Sequence, residues 1–348
     1  MTNSRRNKIA PVSIFFLLYI SRIVNAMTNI QSVTAGLMKT DTVISILISM
    51  GVTLAVCVPA IVCIRKKKNP MDVKFVGFFY SIYFIFLAAV YISRFAYFAS
   101  TTLNPDSQSW IFVSIVAVCA MYGSLLGIEG ISRFSGFAFF LLIGAILLAL
   151  GFSIDKFDEV NFYPVISNST EQIIRNVGLM TSSTGEIAIF LCLSKKVNGS
   201  AIKPFVWSLT GAFFTIFVLF LFVVATMGDG AALQAFPLYS FFQHAKIGLF
   251  DRFDVLYSSF WIMGIFIKSV IYIYCASTAF KPMKSKTKCI ASSAAVFAVS
   301  IFISQFTESG MVPPAVYAVP FAVFCIIIPL LTLIFKKRNY GDELVESF

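Results

Sequence analysis

Histidine occurs once in this 348-residue chain, at His244, and acidic residues number only 16. A metal centre needs clustered ligands, and acid–base catalysis needs a base held by an orienting partner. His244 has no acidic or cysteine neighbour in its segment and reads as solvent-exposed. The seven cysteines (Cys57, Cys63, Cys119, Cys192, Cys275, Cys289, Cys325) contain no C-x-x-C pair, so they read as small apolar packers rather than a disulfide or metal framework. No strand precedes Gly123-x-x-x-Gly127 and Gly130, and no Lys-Ser/Thr follows. That excludes a phosphate loop and leaves a close helix-packing face. No nucleophile, base and orienter occur together, so neither an enzyme nor a bound cofactor is expected. Low-complexity linkers are missing too, and the chain reads as one integral membrane domain over residues 1–348.

What is abundant is apolar surface. Hydrophobic residues make up 58% of the chain and phenylalanine alone contributes 39 positions, against roughly 45–50% apolar residues in soluble domains. The mean hydropathy is +0.87. The bilayer is therefore the solvent. Ten apolar stretches long enough to span it lie at about 9–28, 42–64, 75–100, 110–130, 134–153, 172–194, 205–226, 254–278, 289–306 and 314–335. With ten spans both termini share one side, and 19 of the 27 basic residues then fall on that side. They are Arg5, Arg6 and Lys8; Arg65, Lys66, Lys67, Lys68 and Lys74; Arg133; Lys195, Lys196 and Lys203; Lys281, Lys284, Lys286 and Lys288; and Lys336, Lys337 and Arg338. The opposite side holds only Lys39, Lys156, Lys246 and Arg252. By the positive-inside rule both termini are cytoplasmic. The net charge of +11 is thus a topology signal, and nucleic acid is not expected as a partner.

The first segment, with its basic start and Val24-Asn25-Ala26, has features of a cleavable signal, but Arg22 inside the apolar run and the parity of the remaining charges require it to span. Five spans per half, over 9–153 and 172–335, make the second half inverted relative to the first, a transporter architecture with a mid-membrane site. In such folds the first helix of each half is often broken. Helix one carries Tyr19, Ser21, Arg22 and Asn25, and helix six carries Thr181-Ser182-Ser183-Thr184-Gly185-Glu186. Either run unwinds its helix, or its hydroxyls bond back to the preceding turn of a continuous one. Residues 227–253, with Phe236, Pro237, Tyr239, Phe241 and Phe242, read as an amphipathic, partly helical cap on the outer surface.

Charges inside the spans are costly in lipid and usually mark a site or pathway. Glu186 lies in helix six, Arg22 in helix one, Arg94 in helix three and Lys268 in helix eight. Helical spacing puts Lys268 on one stripe with Tyr257, Trp261, Gly264, Tyr272 and Cys275, and Arg94 on another with Tyr80, Tyr83, Tyr91 and Phe98. Both stripes should face the bundle interior, because cations and hydroxyls turned to lipid would lack partners. Arg94 is near enough to the outer end to snorkel instead. Glu186 and Lys268 are candidate partners, since pairing reduces the cost of burying either. Glu129 and Arg133, four apart at the cytoplasmic end of helix four, suit a local ion pair.

Several blocks, in order, resemble the spore-germination permease family. They are Ile9-Ala10-Pro11 leading into Tyr19-Ile20-Ser21-Arg22, Gly127-Ile128-Glu129-Gly130-Ile131-Ser132-Arg133, Phe162-Tyr163-Pro164-Val165, and Gly185-Glu186-Ile187 before a basic loop. Phe236-Pro237, Phe250-Asp251-Arg252-Phe253-Asp254, Trp261 and Val270-Ile271-Tyr272-Ile273-Tyr274 follow, so the resemblance spans about residues 9–336. It implies an all-α, ten-helix bundle with the inverted five-plus-five repeat of the amino acid–polyamine–organocation (LeuT-like) superfamily, in the inner membrane of endospores. It also implies a small nutrient such as an amino acid as ligand, an A-type and a lipoprotein C-type receptor subunit as partners, and a pocket between helices one, three, six and eight. The candidate ligand-binding residues on those helices are Ser21, Arg22, Arg94, Tyr97, Ser182, Ser183, Thr184, Gly185, Glu186, Trp261 and Lys268. Two departures stand out. Ser21-Arg22-Ile23-Val24 replaces a glycine-rich break, so that Arg22 could hold a carboxylate by charge. Lys268 stands where some relatives have a hydroxyl-bearing residue, which implies either a different ligand or a pocket filled by a Glu186–Lys268 pair that binds something smaller.

Three functions are consistent with these features: a nutrient-sensing subunit that signals to partners, a secondary amino-acid transporter coupled to H⁺ or Na⁺, and an ion-conducting assembly. A sensor needs partner surfaces, for which the aromatic segment 227–253 is a candidate.

Overall fold

The computed structural model describes residues 8–30, 40–166, 169–245, 253–280, 285–307 and 313–335. Arg5, Arg6, Lys39, Lys246, Arg252, Lys281, Lys284, Lys336, Lys337 and Arg338, and the block Phe250-Asp251-Arg252, lie outside the described residues. Ten helices are long and apolar enough to cross a membrane, and no strand occurs among the described residues. Helix one runs Pro11–Asn25, helix two Thr40–Arg65, helix three Lys74–Phe98, helix four Ser109–Leu126 and helix five Ile128–Gly151. Helix six comes in two pieces, Thr170–Ser182 and Glu186–Leu193; helix seven runs Ile202–Met227, helix eight Phe253–Ala279, helix nine Ser285–Phe306 and helix ten Pro314–Phe335 with a π-turn at Ala322–Ile327. The whole is an all-α integral membrane protein.

Local chemistry sets the ends. Pro11 opens helix one, where its missing N–H costs nothing. Ser169 and Gln172 form a reciprocal capping box at the start of helix six. Gly127, at φ +89°, a conformation that favours glycine, separates helix four from helix five. The turn therefore falls several residues before the position expected from the apolar pattern. Glu129 and Arg133 consequently do not end helix four; they pair at 2.8 Å in the first turns of helix five. The small-residue face is reduced accordingly. A Cβ on Gly123 would meet Val270 and Phe266 of helix eight, whereas Gly127 and Gly130 have open space.

Burial sorts the helices. Helices one, three, six and eight are buried over 61–78% of their apolar windows, against 17–33% for four, five, nine and ten. The four helices that carry Arg22, Arg94, Glu186 and Lys268 thus form the interior, and residues such as Leu47, Phe137, Phe140, Phe214 and Phe302 on the rest are exposed, as lipid allows. Every member of the two predicted stripes on helices three and eight is buried. Neighbour relations repeat with a shift of five: helix one packs on seven as six packs on two, helix three on nine as eight on four, and helix one on five as six on ten.

Ile9 and Leu333, near the two limits of the described residues, lie on one face with the 65–74 and 195–203 segments. Ile9 exchanges backbone hydrogen bonds with Lys196 and Asn198 at 2.8 and 2.9 Å, Lys195 pairs with Asp72, and Lys68 donates to the Leu333 carbonyl at 3.0 Å. That face carries the basic loops 65–74 and 195–203. On the other face Asn161 donates to Ala225 O at 2.7 Å, and Lys156 donates to the His244 carbonyl. Over the second face lie a 3-10 turn, Gly228–Leu233, and a short helix, Pro237–His244. Phe236, Leu238, Phe241 and Phe242 are buried against the chain's own helices, with Phe236 edge-on to Phe98 and Trp261 and Phe242 tilted against Tyr257. Phe236, Phe241 and Phe242 are therefore internal packing, and residues 246–252 of the segment considered as a partner surface lie outside the described residues.

Helix one and helix eight approach closely at Gly264, where a Cβ would sit 2.3 Å from Val24 Cγ2. A valine in a helix has one strongly preferred rotamer and cannot turn aside. Gly264→Ala is expected to cost about 1–3 kcal/mol in thermal unfolding. Gly130→Ala, in open space, should be neutral or slightly stabilising. Equal effects of the two changes would contradict the packing.

Candidate functional site

Helix six breaks at Ser183–Gly185, within the predicted run. Thr184 N–H turns back to Thr181 O at 3.0 Å and Gly185 N–H to Ser183 O at 3.1 Å, so the regular ladder is interrupted. Gly185 is required by space: an added Cβ would meet the Tyr272 hydroxyl at 2.5 Å and Leu87 Cδ1 at 2.8 Å. Helix one, in contrast, is continuous through Tyr19, Ser21, Arg22 and Asn25 and departs from α geometry only in a π-turn at Ala26–Ile30. The side chains of Tyr19, Ser21, Arg22 and Asn25 find partners on neighbouring helices rather than on their own backbone, so they do not compete with its ladder.

The break puts two helix ends face to face at membrane depth. The first half of helix six ends with carbonyls lacking helical partners, the negative end of its dipole; the second half begins with free N–H groups, the positive end. Charges are distributed accordingly. Arg22 Nη2 donates to Met180 O at 3.1 Å, at the end of the first half, and Glu186 carries its carboxylate in the first turn of the second.

Glu186 Oε1 accepts from Lys268 Nζ at 3.1 Å and from Ser21 Oγ at 2.6 Å, and both charged side chains are fully buried. Lys268 Nζ also donates to the Ser21 carbonyl at 2.7 Å and sits 3.8 Å from the centroid of the Tyr91 ring. The ammonium thus has a carboxylate, a carbonyl and an aromatic face as partners. Asn25 ties the break to helix three: its Nδ2 donates to Ser183 Oγ at 2.8 Å and its Oδ1 accepts from Tyr91 OH at 2.8 Å. Arg22 is fully buried over the Phe213 ring, 4.2 Å from its centroid. Its Nε and Nη1, like Glu186 Oε2, have no hydrogen-bond partner among the described residues.

Of the predicted residues, Ser21, Arg22, Ser183, Gly185, Glu186 and Lys268 come together. Ser182 and Thr184 bond back to Leu179 O and Met180 O within their own turn. Arg94, Tyr97 and Trp261 stand apart in an outer aromatic layer. Arg94 is 3% exposed, with the rings of Tyr97 and Phe236 each 5.1 Å away, so it does not snorkel. Trp261 packs on Phe98 at 4.1 Å and donates to Thr28 Oγ1 at 3.1 Å. It is seven residues before Lys268, about 10 Å along helix eight.

Sequence reasoning did not single out Met180, Phe213 or Thr28. Thr28 shares the polar face of helix one with Ser21 and Asn25, a spacing that could have revealed it; one phenylalanine among 39 carries no such signal. The opposite face of helix one borders two adjoining apolar cavities. They share Ile23, Met27, Leu142 and Phe260, and neither is lined by Glu186 or Lys268. Among the described residues no three His, Cys, Asp or Glu side chains come together as a metal site.

A family model described as "Spore germination protein" matches residues 8–309. Three Bacillus subtilis (strain 168) proteins are similar over most of their length. Spore germination protein KB is 25% identical over 76% of this chain and 75% of its own; YndE is 23% identical over 71% and 73%; and A2 is 22% identical over 70% and 71%. A solved structure of a Na⁺-coupled sialic acid symporter, substrate-bound and outward-open, aligns with 95% of this chain and 74% of its own at 13% identity. Its TM-score of 0.45 is too low to carry a statement of function.

The contact at the break is testable. Gly185→Ala should cost about 1–3 kcal/mol by overpacking, and adding Tyr272→Phe, which removes a buried hydroxyl without a hydrogen-bond partner, should recover part of that loss in thermal unfolding. No recovery in the double variant would mean that the hydroxyl is not what Gly185 makes room for.

Proposed function

We propose that this chain, which belongs to the spore germination protein family, is the nutrient-binding subunit of a germinant receptor embedded in the cell or spore inner membrane. In this reading a small polar nutrient, an amino acid or a molecule like it, binds at the break of helix six and the binding event is signalled to A-type and lipoprotein C-type subunits. The observation that carries the reading is the fully buried Glu186–Lys268 pair beside Arg22, whose guanidinium keeps two N–H-bearing nitrogens without hydrogen-bond partners. A buried donor without a partner costs about 1–3 kcal/mol, a cost that a ligand carboxylate at Arg22 would offset.

The arrangement supports signalling because the groups in contact with the ligand also hold the helices. A carboxylate drawn to Arg22 competes with Met180 O for the same guanidinium and so bears on the end of the first half of helix six. That half is tied through Ser183 and Asn25 to Tyr91 of helix three. The two five-helix units, 9–153 and 172–335, then act as inverted halves meeting at this site, with the basic face in the cytoplasm. A second reading, a secondary transporter coupled to H⁺ or Na⁺, draws on the same broken helix with a buried carboxylate at its centre.

Arg22→Gln should lose a charge-assisted hydrogen bond, about 1.5–3 kcal/mol, which is roughly ten- to a hundredfold in nutrient sensitivity. The measurement is the nutrient dose response of spores carrying the variant at unchanged membrane abundance. An unchanged response would place the pocket elsewhere. Uptake of labelled amino acid by vesicles containing this chain alone separates the two readings: no saturable, gradient-dependent uptake is expected of a sensor, and its presence would favour transport.

A further inference from the structure

Resting on the binding site just proposed at the break of helix six, the charge balance narrows its ligand class. Two cations, Arg22 and Lys268, and one anion, Glu186, meet at the break, all fully buried. The cluster therefore carries one net positive charge in the low-dielectric interior. Asp41, the other fully buried acid among the described residues, lies elsewhere. It precedes Ser49 by eight residues, about 12 Å along helix two, and it is Ser49 whose hydroxyl reaches the Met180 sulfur.

The unmet hydrogen bonds of the charged groups at the break are two donors, Arg22 Nε and Nη1, against one acceptor, Glu186 Oε2, an excess of donors that agrees with that balance. The ammonium position is already filled. Lys268 Nζ takes the Glu186 carboxylate, the Ser21 carbonyl and the Tyr91 face, the kinds of partner a ligand's ammonium would seek. For an incoming ammonium to occupy that cage, Lys268 would have to leave, and breaking a buried ion pair is strongly unfavourable. Arg22 has the opposite status, with Nε and Nη1 free of hydrogen bonds.

We infer that this site takes a small solute bearing one carboxylate or an equivalent single negative charge and no ammonium, with Arg22 as its receptor and Lys268 standing permanently in the position of a ligand amine. A zwitterion leaves the cluster at plus one; a monoanion brings it to neutrality. The amino acid expected from the family resemblance is replaced by its amine-free counterpart, such as a 2-hydroxy acid.

The experiment uses the full chain in lipid nanodiscs and reads the unfolding temperature with L-lactate, acetate, pyruvate, L-alanine and ethylammonium as probes. For the unaltered chain, at least one of the three carboxylates should raise the unfolding temperature saturably, with L-alanine requiring about tenfold or more higher concentration for the same shift. In Lys268→Ala, which vacates the cage, ethylammonium should restore part of the lost stability while leaving the unaltered chain unmoved. Lys268→Met keeps the cage filled with an apolar chain and should not respond to ethylammonium. L-alanine binding the unaltered chain as tightly as the carboxylates would overturn the inference and leave the pocket in place. No shift with any of the three carboxylates, or no ethylammonium rescue of Lys268→Ala, would overturn it as well. The pocket itself fails separately, through an unchanged nutrient response in Arg22→Gln.

Discussion

A carboxylate and an ammonium buried together in the centre of a membrane protein constrain everything around them. Neither Glu186 nor Lys268 exposes any surface to bulk solvent. Removing one partner of such a pair costs about 3–5 kcal/mol, because the other charge is then buried alone. Helices one, six and eight are therefore fixed in register at a single level. Lys268 on helix eight reaches Glu186 on helix six and the backbone of Ser21 on helix one, and Ser21 closes the triangle through its hydroxyl.

The break in helix six makes this possible. A continuous helix would cancel its own end charges along its length, whereas two half-helices expose a negative end and a positive end at the same depth. Arg22 approaches the first and Glu186 grows from the second. Gly185 permits the turn only because it leaves room for Tyr272 and Leu87. The outer layer of Arg94, Trp261, Phe98 and Phe236 covers the site on one side. The cap Pro237–His244 belongs to the same packing rather than to a separate surface.

Much of this was legible from the chain alone. The ten spans follow from apolar length, and the interior stripes of helices three and eight follow from helical spacing, which depends on periodicity and not on context. Glu186 and Lys268 could be matched because only a handful of charges lie within spans. Other features were not legible. Ser21, Arg22 and Asn25 look like helix breakers in helix one, yet the helix is continuous, since their partners come from residues over 150 positions away such as Met180, Ser183 and Glu186. The turn before helix five falls earlier than the apolar pattern implies, because one glycine at positive φ outweighs a run of apolar residues. Arg94 and Trp261 share helices with the site but stand at another height, and residue type does not report height.

The account depends most on the claim that Glu186 and Lys268 act as a pair. Thermal unfolding of the unaltered chain, Glu186→Gln, Lys268→Met and the double variant, all in the same lipid environment, measures that coupling directly. The pair predicts a loss of about 3–5 kcal/mol in each single variant and a double variant far more stable than the sum of the two losses would allow. Losses that simply add would contradict it.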